Sequence, residues 1–145
     1  VARALGAKKI VIQGTPDKSL KKTVDNITKA WGGKFKVEFS ESWRKTLLDH
    51  KQKGFKAVHL TMYGKPLNQE IKKIRKEKKL LVIIGSQKVE IDVYKESQYN
   101  VSIGKQPHSE IAALAIFIDR MFEGKELDSE FPGAKIVLTK KNEKG

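Results

Sequence analysis

The sequence predicts an α/β domain: a mainly parallel sheet flanked by helices. Three observations carry that prediction. Short β-branched runs alternate at least four times with stretches of helical periodicity. Glycine closes several of these runs, as at Gly14, Gly85 and Gly104. Leu80 to Ile84 is an unbroken apolar run, the pattern of a strand covered on both faces.

The elements follow in order. "VARALGA" reads as the end of a helix, Ala-rich and stopped by Gly6. Lys9 to Gln13 is a β-branched strand. Thr15 is the expected N-cap of the first full helix, with Pro16 at its first position and Asp17 in its first turn. Leu20, Val24, Ile27 and Trp31 then form one apolar stripe, and Gly32-Gly33 ends it. Phe35 to Phe39 alternates as a strand, and Ser40 or Ser42 caps a helix carrying Trp43, Leu47 and Leu48. Lys56 to Leu60 is a third strand, and Leu67, Ile71 and Ile74 mark a helix with a basic outer face. After Leu80 to Ile84 come a short helix at about Ile91 to Lys95, a strand from Tyr99 to Ile103, and a long helix from Ile111 to Phe122. Ala134 to Leu138 is expected as an edge strand, and residues 139–145 as a frayed tail.

A length of 145 residues fits one domain, residues 1–145. No run of eighteen apolar residues predicts a membrane helix, and the opening residues lack a signal-peptide pattern. A cytoplasmic location is the expectation. The absence of cysteine excludes disulfides and thiolate metal sites. Thirty Lys and Arg against seventeen Asp and Glu give a net charge of +13, which favours a polyanionic partner such as nucleic acid. The segment "KKIRKEKK" (72–79) is either a phosphate-binding patch or a solvated helix face. Trp31 and Trp43 sit in helical stripes and read as core rather than base-stacking platforms.

In parallel sheets, ligands bind beyond the carboxyl ends of the strands. Three such ends stand out: "HLTMYGKP" (59–66), "IIGSQKVE" (83–90) and "SIGKQPHSE" (102–110). Each follows an apolar strand and contains a glycine, which lets the backbone turn sharply or approach a ligand. The common nucleotide motifs are absent: there is neither G-x-G-x-x-G nor G-x-x-x-x-G-K-[ST]. There is no G-x-S-x-G elbow either. His50, His59 and His108 lack metal-ligand spacing, and His108 reads as a hydrogen-bonding group within its own loop. The helix from Ile111 carries the stripe Ile111, Leu114, Ile118 and Met121, with Ala112, Ala115, Ile116, Phe117 and Phe122 on other sides. A helix apolar almost all round is buried on more than one side, plausibly against a second subunit.

Taken together, "VHLTMYG" (58–64), "VIIGSQKV" (82–89) and "YNVSIGKQPHSEIAALAIFIDRMFEGK" (99–125) resemble the archaeal tRNA cytidine-56 2′-O-methyltransferases. These belong to the SPOUT, or trefoil-knot, methyltransferases. "ARALGA" (2–7), "WGG" (31–33) and "GAKI" (133–136) also fit. The resemblance implies a C-terminal deep trefoil knot, a fold feature that no single-sequence pattern would predict. It implies S-adenosylmethionine as cofactor, bound in a bent form by three loops. Carried over by motif, the cofactor residues are Leu60; then Gly85, Ser86, Gln87, Lys88 and Val89; then Ile103, Gly104, Lys105, Gln106, Pro107, His108, Ser109 and Glu110. It further implies tRNA as substrate and a homodimer through the helix Ile111 to Phe122. The family's arginine motif belongs upstream of Val1, with the strand that precedes it, so no catalytic residue is named. Two other readings stay open: a noncatalytic RNA-binding protein on the same fold, and a small-molecule α/β enzyme.

Overall fold

The computed structural model describes residues 1–85 and 90–139. Its elements run β1 (Lys9–Gln13), α1 (Lys18–Trp31), β2 (Lys36–Ser40), α2 (Trp43–Gln52), β3 (Lys56–Pro66), α3 (Leu67–Ile74), β4 (Leu80–Ile84), α4 (Ile91–Glu96), β5 (Tyr99–Ser102) and α5 (Glu110–Phe122). A short 3-10 turn follows at Lys125–Asp128.

Every strand pairing is parallel, but the strands form two sheets rather than one. β1 pairs with β2, and the second sheet has the order β4-β3-β5. Apolar patterning marks each strand but says nothing about which backbone edges meet. Strand period two then divides β3 between two faces. Val58 and Leu60 join Leu67, Ile71 and Ile74 of α3 and Ala113, Phe117 and Ile118 of α5 in the main core. On the other face, His59 meets Tyr94 of α4 edge-on at 4.7 Å. α2 and α4 are tied there by Arg44–Asp92 at 2.6 Å and Lys51–Glu96 at 3.1 Å.

Several expectations are corrected. Asp17, not Thr15, caps α1: its carboxylate accepts from the Leu20 amide at 2.9 Å, and Pro16 lies before the cap. A carboxylate one residue before the first helical turn caps it directly and favours the positive helix end. Of the two serines expected to cap α2, Ser42 does so by accepting from the Lys45 amide, as expected of one of the pair. The opening residues form hydrogen-bonded turns closed by Gly6 (φ +97°). Ala134 to Leu138 is no strand. The amides of Lys135 and Ile136 both donate to Ala30 O at 2.9 Å, so this segment closes the end of α1 instead of joining a sheet. The stripe Leu20, Ile27 and Trp31 stays about two-fifths exposed, and no α1 residue is buried.

The buried stripe of α5 is Ala113, Phe117 and Ile118, with Leu114 and Met121 packed against the core. Ile111, expected in that stripe, is 61% exposed. Either set is helically spaced, and only the position of α3 selects the face that turns inward. Residues 140–145, most of the expected tail, lie outside the described residues.

Candidate functional site

The register of the second sheet sets Leu60 level with the carboxyl ends of β4 and β5. Leu60 pairs with Ile84 on one side and with Val101 on the other. The chain therefore leaves β4 at Gly85 and β5 at Ile103 along the same carboxyl edge, next to Leu60. Leu60 is buried and Gly85 half-buried. Ser86, Gln87, Lys88 and Val89 lie outside the described residues.

The third loop is built by local hydrogen bonds. Ile103 is half-buried, while Gly104, Lys105, Gln106 and Pro107 are exposed. Gly104 holds φ +74°, and the space that a Cβ would fill is empty. His108 bridges the loop: Nδ1 meets Ser109 O at 2.9 Å and Nε2 meets Ile103 O at 2.5 Å. Both partners are carbonyl oxygens, so the two bonds form together only when the ring is protonated. The carbonyls of Ser109 and then Ile103 raise the imidazole above its usual range. Ser109 caps α5, accepting from the Ala112 amide at 3.0 Å, and Glu110 opens the helix as an acid in its first turn.

The segment 59–66, expected as a loop after a strand ending at Leu60, is instead part of β3, which runs on to Pro66 because it pairs with β5 a second time. β3 pairs with Val101 through Leu60 and again through Lys65, with residues 61–64 between. A Cβ at Gly64 would stand 2.5 Å from the backbone of Asn100 and Val101. Only glycine permits so close a crossing. Beside it opens a cleft of about 400 Å³ lined by Tyr63, Lys65, Glu70, Tyr94, Tyr99 and Asn100, among others.

A buried polar cluster supports the cleft wall. The Asn100 amide donates to Tyr94 O at 2.9 Å, which orients its oxygen toward His59 Nδ1 at 3.0 Å. His59 Nδ1 therefore carries the hydrogen. Burial pushes the His59 imidazole below its usual range, against the opposing effect of the Asn100 hydrogen bond. Tyr94 Oη and Thr61 Oγ1 share a hydrogen bond at 2.7 Å.

Parts of the basic segment 72–79 are structural. Arg75 donates to Arg120 O and pairs with Glu123 at 3.4 Å, and Lys79 donates to Lys53 O at 3.1 Å. Lys72, Lys76 and Lys78 are exposed. Trp43 is half-buried beneath the Arg44 guanidinium, whereas Trp31 is 39% exposed. Among the described residues, no group of three or more His, Asp or Glu could hold a metal ion. No helix is long and apolar enough to cross a membrane, again among the described residues.

A family model described as tRNA ribose 2′-O-methyltransferase, aTrm56, matches residues 31–145. The chain belongs to this family. Its relatives agree. A protein of Methanopyrus kandleri named tRNA (cytidine(56)-2′-O)-methyltransferase is 46% identical over 99% of this chain and 80% of its own length. Proteins of the same name from Methanocaldococcus jannaschii and Methanococcus maripaludis are 48% and 49% identical. They cover 94% and 95% of this chain, and 77% and 79% of their own lengths. A crystal structure of an RNA 2′-O ribose methyltransferase superposes with a TM-score of 0.62 at 14% identity. It covers 86% of this chain, which spans about half (48%) of that one, and it supports the fold.

Within this methyltransferase family frame, the structure brings Leu60, Gly85 and Ile103 to Glu110 to one sheet edge. Within the candidate segment 59–66 the resemblance names Leu60 alone, whereas Tyr63 and Lys65 line the cleft with a polar cluster behind them. The available signal was Tyr63-Gly64-Lys65 directly after an apolar strand. Nothing in the sequence joins it to Tyr94 and Asn100.

Proposed function

We propose that this protein transfers a methyl group from S-adenosylmethionine to the ribose 2′-hydroxyl of cytidine 56 in tRNA. The observation that carries the reading is the family match over residues 31–145, and the level register of Leu60, Ile84 and Val101 supports a cofactor edge there. The residues fit such a cofactor. The empty space beside Gly104 and the exposed turn through Pro107 leave backbone groups accessible. In this reading Leu60, Gly85 to Val89, and Ile103 to Glu110 hold it. When bound, S-adenosylmethionine supplies an electrophilic methyl group. The protein's part is alignment: a rigid edge holds the ribose oxygen in line with the methyl–sulfur bond. His108 fastens the third loop through its contacts with Ser109 O and Ile103 O.

Residues 1–145 act as one SPOUT domain in this proposal. The family match supports a threaded, knotted chain of the SPOUT type. Ile111, Ile116 and Phe122 leave an apolar face open on α5, which supports a homodimer through that helix. A net charge of +13 suits tRNA, and the cytoplasm is where such a substrate is met.

The test is calorimetric titration of S-adenosylmethionine, with methyl transfer to a tRNA transcript mapped to its nucleotide. Gly104→Val is expected to weaken cofactor binding at least about tenfold, because a branched side chain fills the open space and strains a positive φ. The tRNA affinity should stay within about twofold, since no charge is lost. Unchanged cofactor affinity would refute the site. Salt-sensitive tRNA binding without any cofactor binding would favour the noncatalytic reading.

A further inference from the structure

We propose that the cleft beside Gly64 is a base-recognition subsite that holds an unstacked cytosine of the RNA. The inference rests on the tRNA-methylating function proposed above and names residues that read the substrate. The cleft, at about 400 Å³, falls within the roughly 300–1,000 Å³ typical of small-ligand sites. It begins three residues beyond Leu60, so a base held there belongs to a nucleotide beside the three loops.

Its polar groups divide into two sets. Asn100, Tyr94 and Tyr99 have spent their hydrogen bonds: Asn100 on His59 and Tyr94 O, Tyr94 on Thr61, and Tyr99 on Glu77 at 2.8 Å. They offer a firm wall with aromatic surface. Lys65, Glu70 and Gln98 line the same cleft, and no hydrogen bond occupies their side chains among the described residues. Glu70 is 8% exposed, with Lys65 and Lys73 at 3.9 and 3.8 Å, beyond hydrogen-bond reach. A carboxylate flanked by an ammonium and an amide matches one base edge. The carboxylate accepts from the cytosine N4 amino group, and Lys65 and Gln98 donate to N3 and O2. Uracil would set its O4 against the carboxylate.

Tyr63 supplies the stacking surface. It is 80% exposed although it sits within β3, between the two points at which that strand pairs with Val101. Its amide donates to Thr61 Oγ1 at 3.3 Å, and Gly64 behind it is wedged against β5. A rigid, solvent-facing ring loses little freedom when a base stacks on it. Proteins that read single-stranded RNA stack splayed bases on such rings. The lysines around the cleft complement the phosphates that come with the base.

The experiment measures equilibrium binding of tRNA transcripts carrying cytidine or uridine at position 56, for wild type, Tyr63→Ala and Glu70→Gln. S-adenosylmethionine affinity and thermal unfolding are read in parallel. Tyr63→Ala should weaken the cytidine transcript about tenfold, the size of one lost base stack. Its cofactor affinity should stay within about twofold. Wild type should prefer cytidine at least about fivefold. Glu70→Gln, whose amide can face either base, should bring that ratio close to one. A wild type without preference, or a preference that survives Glu70→Gln, overturns the inference. So does a Tyr63→Ala defect equal for RNA and cofactor, which would assign the cleft to the cofactor. If wild type transfers no methyl group, the proposed function fails and the binding ratios still decide the subsite.

Discussion

Replacing Gly64 by alanine tests the crossing of residues 61–64 over β5. The added Cβ would lie 2.5 Å from Asn100 C, Asn100 O and Val101 N. Comfortable carbon contacts lie near 3.5–4.0 Å, so the overlap is about an ångström. All three atoms are backbone. Val101 is wholly buried and paired with both Leu60 and Lys65, so β5 has nowhere to move. Overpacking commonly costs about 1–3 kcal/mol. Three immovable neighbours put this case at the upper end, about 3 kcal/mol. For a domain of this size that lowers Tm by about 10 °C.

Gly54→Ala is the internal control. Gly54 holds φ +87°, with nothing within 4 Å of its Cβ position, so its cost is left-handed strain alone, about 1 kcal/mol. Urea and thermal unfolding of the two variants read the difference. If Gly64→Ala is as stable as Gly54→Ala, the close contact of Gly64 with β5 is wrong.

His108 makes the third loop sensitive to pH. Its raised imidazole stabilises the loop fully below the usual value of 6.5, and the contribution is lost as pH climbs through the higher folded value. Amide exchange across residues 103–109, corrected for intrinsic rates, should accelerate over that window in wild type but not in His108→Asn. Matching profiles would remove His108 as the fastener. On α5, Ile116→Asp places a charge on the open apolar face without touching the core. Sedimentation equilibrium should show a wild-type dimer and a largely monomeric variant, and a variant that remains dimeric puts the interface elsewhere.

The element boundaries of this protein were readable where chemistry is local. Lys9–Gln13 and Leu80–Ile84 appear with the bounds their apolar runs suggest, and Ser109 stands before the helix it caps. Gly85 and Gly104 were legible as the ends of β4 and β5 because a glycine after an apolar strand marks a chain that must turn. The expected edge strand failed because its partner lies far along the chain: Ala30 O drew residues 135 and 136 away from any sheet. The cap of α1 is a local miss, since Thr15 and Asp17 are both capping residue types and Asp17 is the one that reaches the Leu20 amide.

The sequence by itself determined the α/β class, the family likeness and the polyanionic preference, since composition, periodicity and motif are written along one chain. Only the tertiary structure decided that Leu60, Ile84 and Val101 stand level. It alone set Gly64 against β5 and enclosed a cleft between Tyr63, Glu70 and Asn100. Register, crossing and enclosure are relations between segments up to 41 positions apart, as His59 and Asn100 are. Long-range packing selects among arrangements that local pattern leaves equivalent.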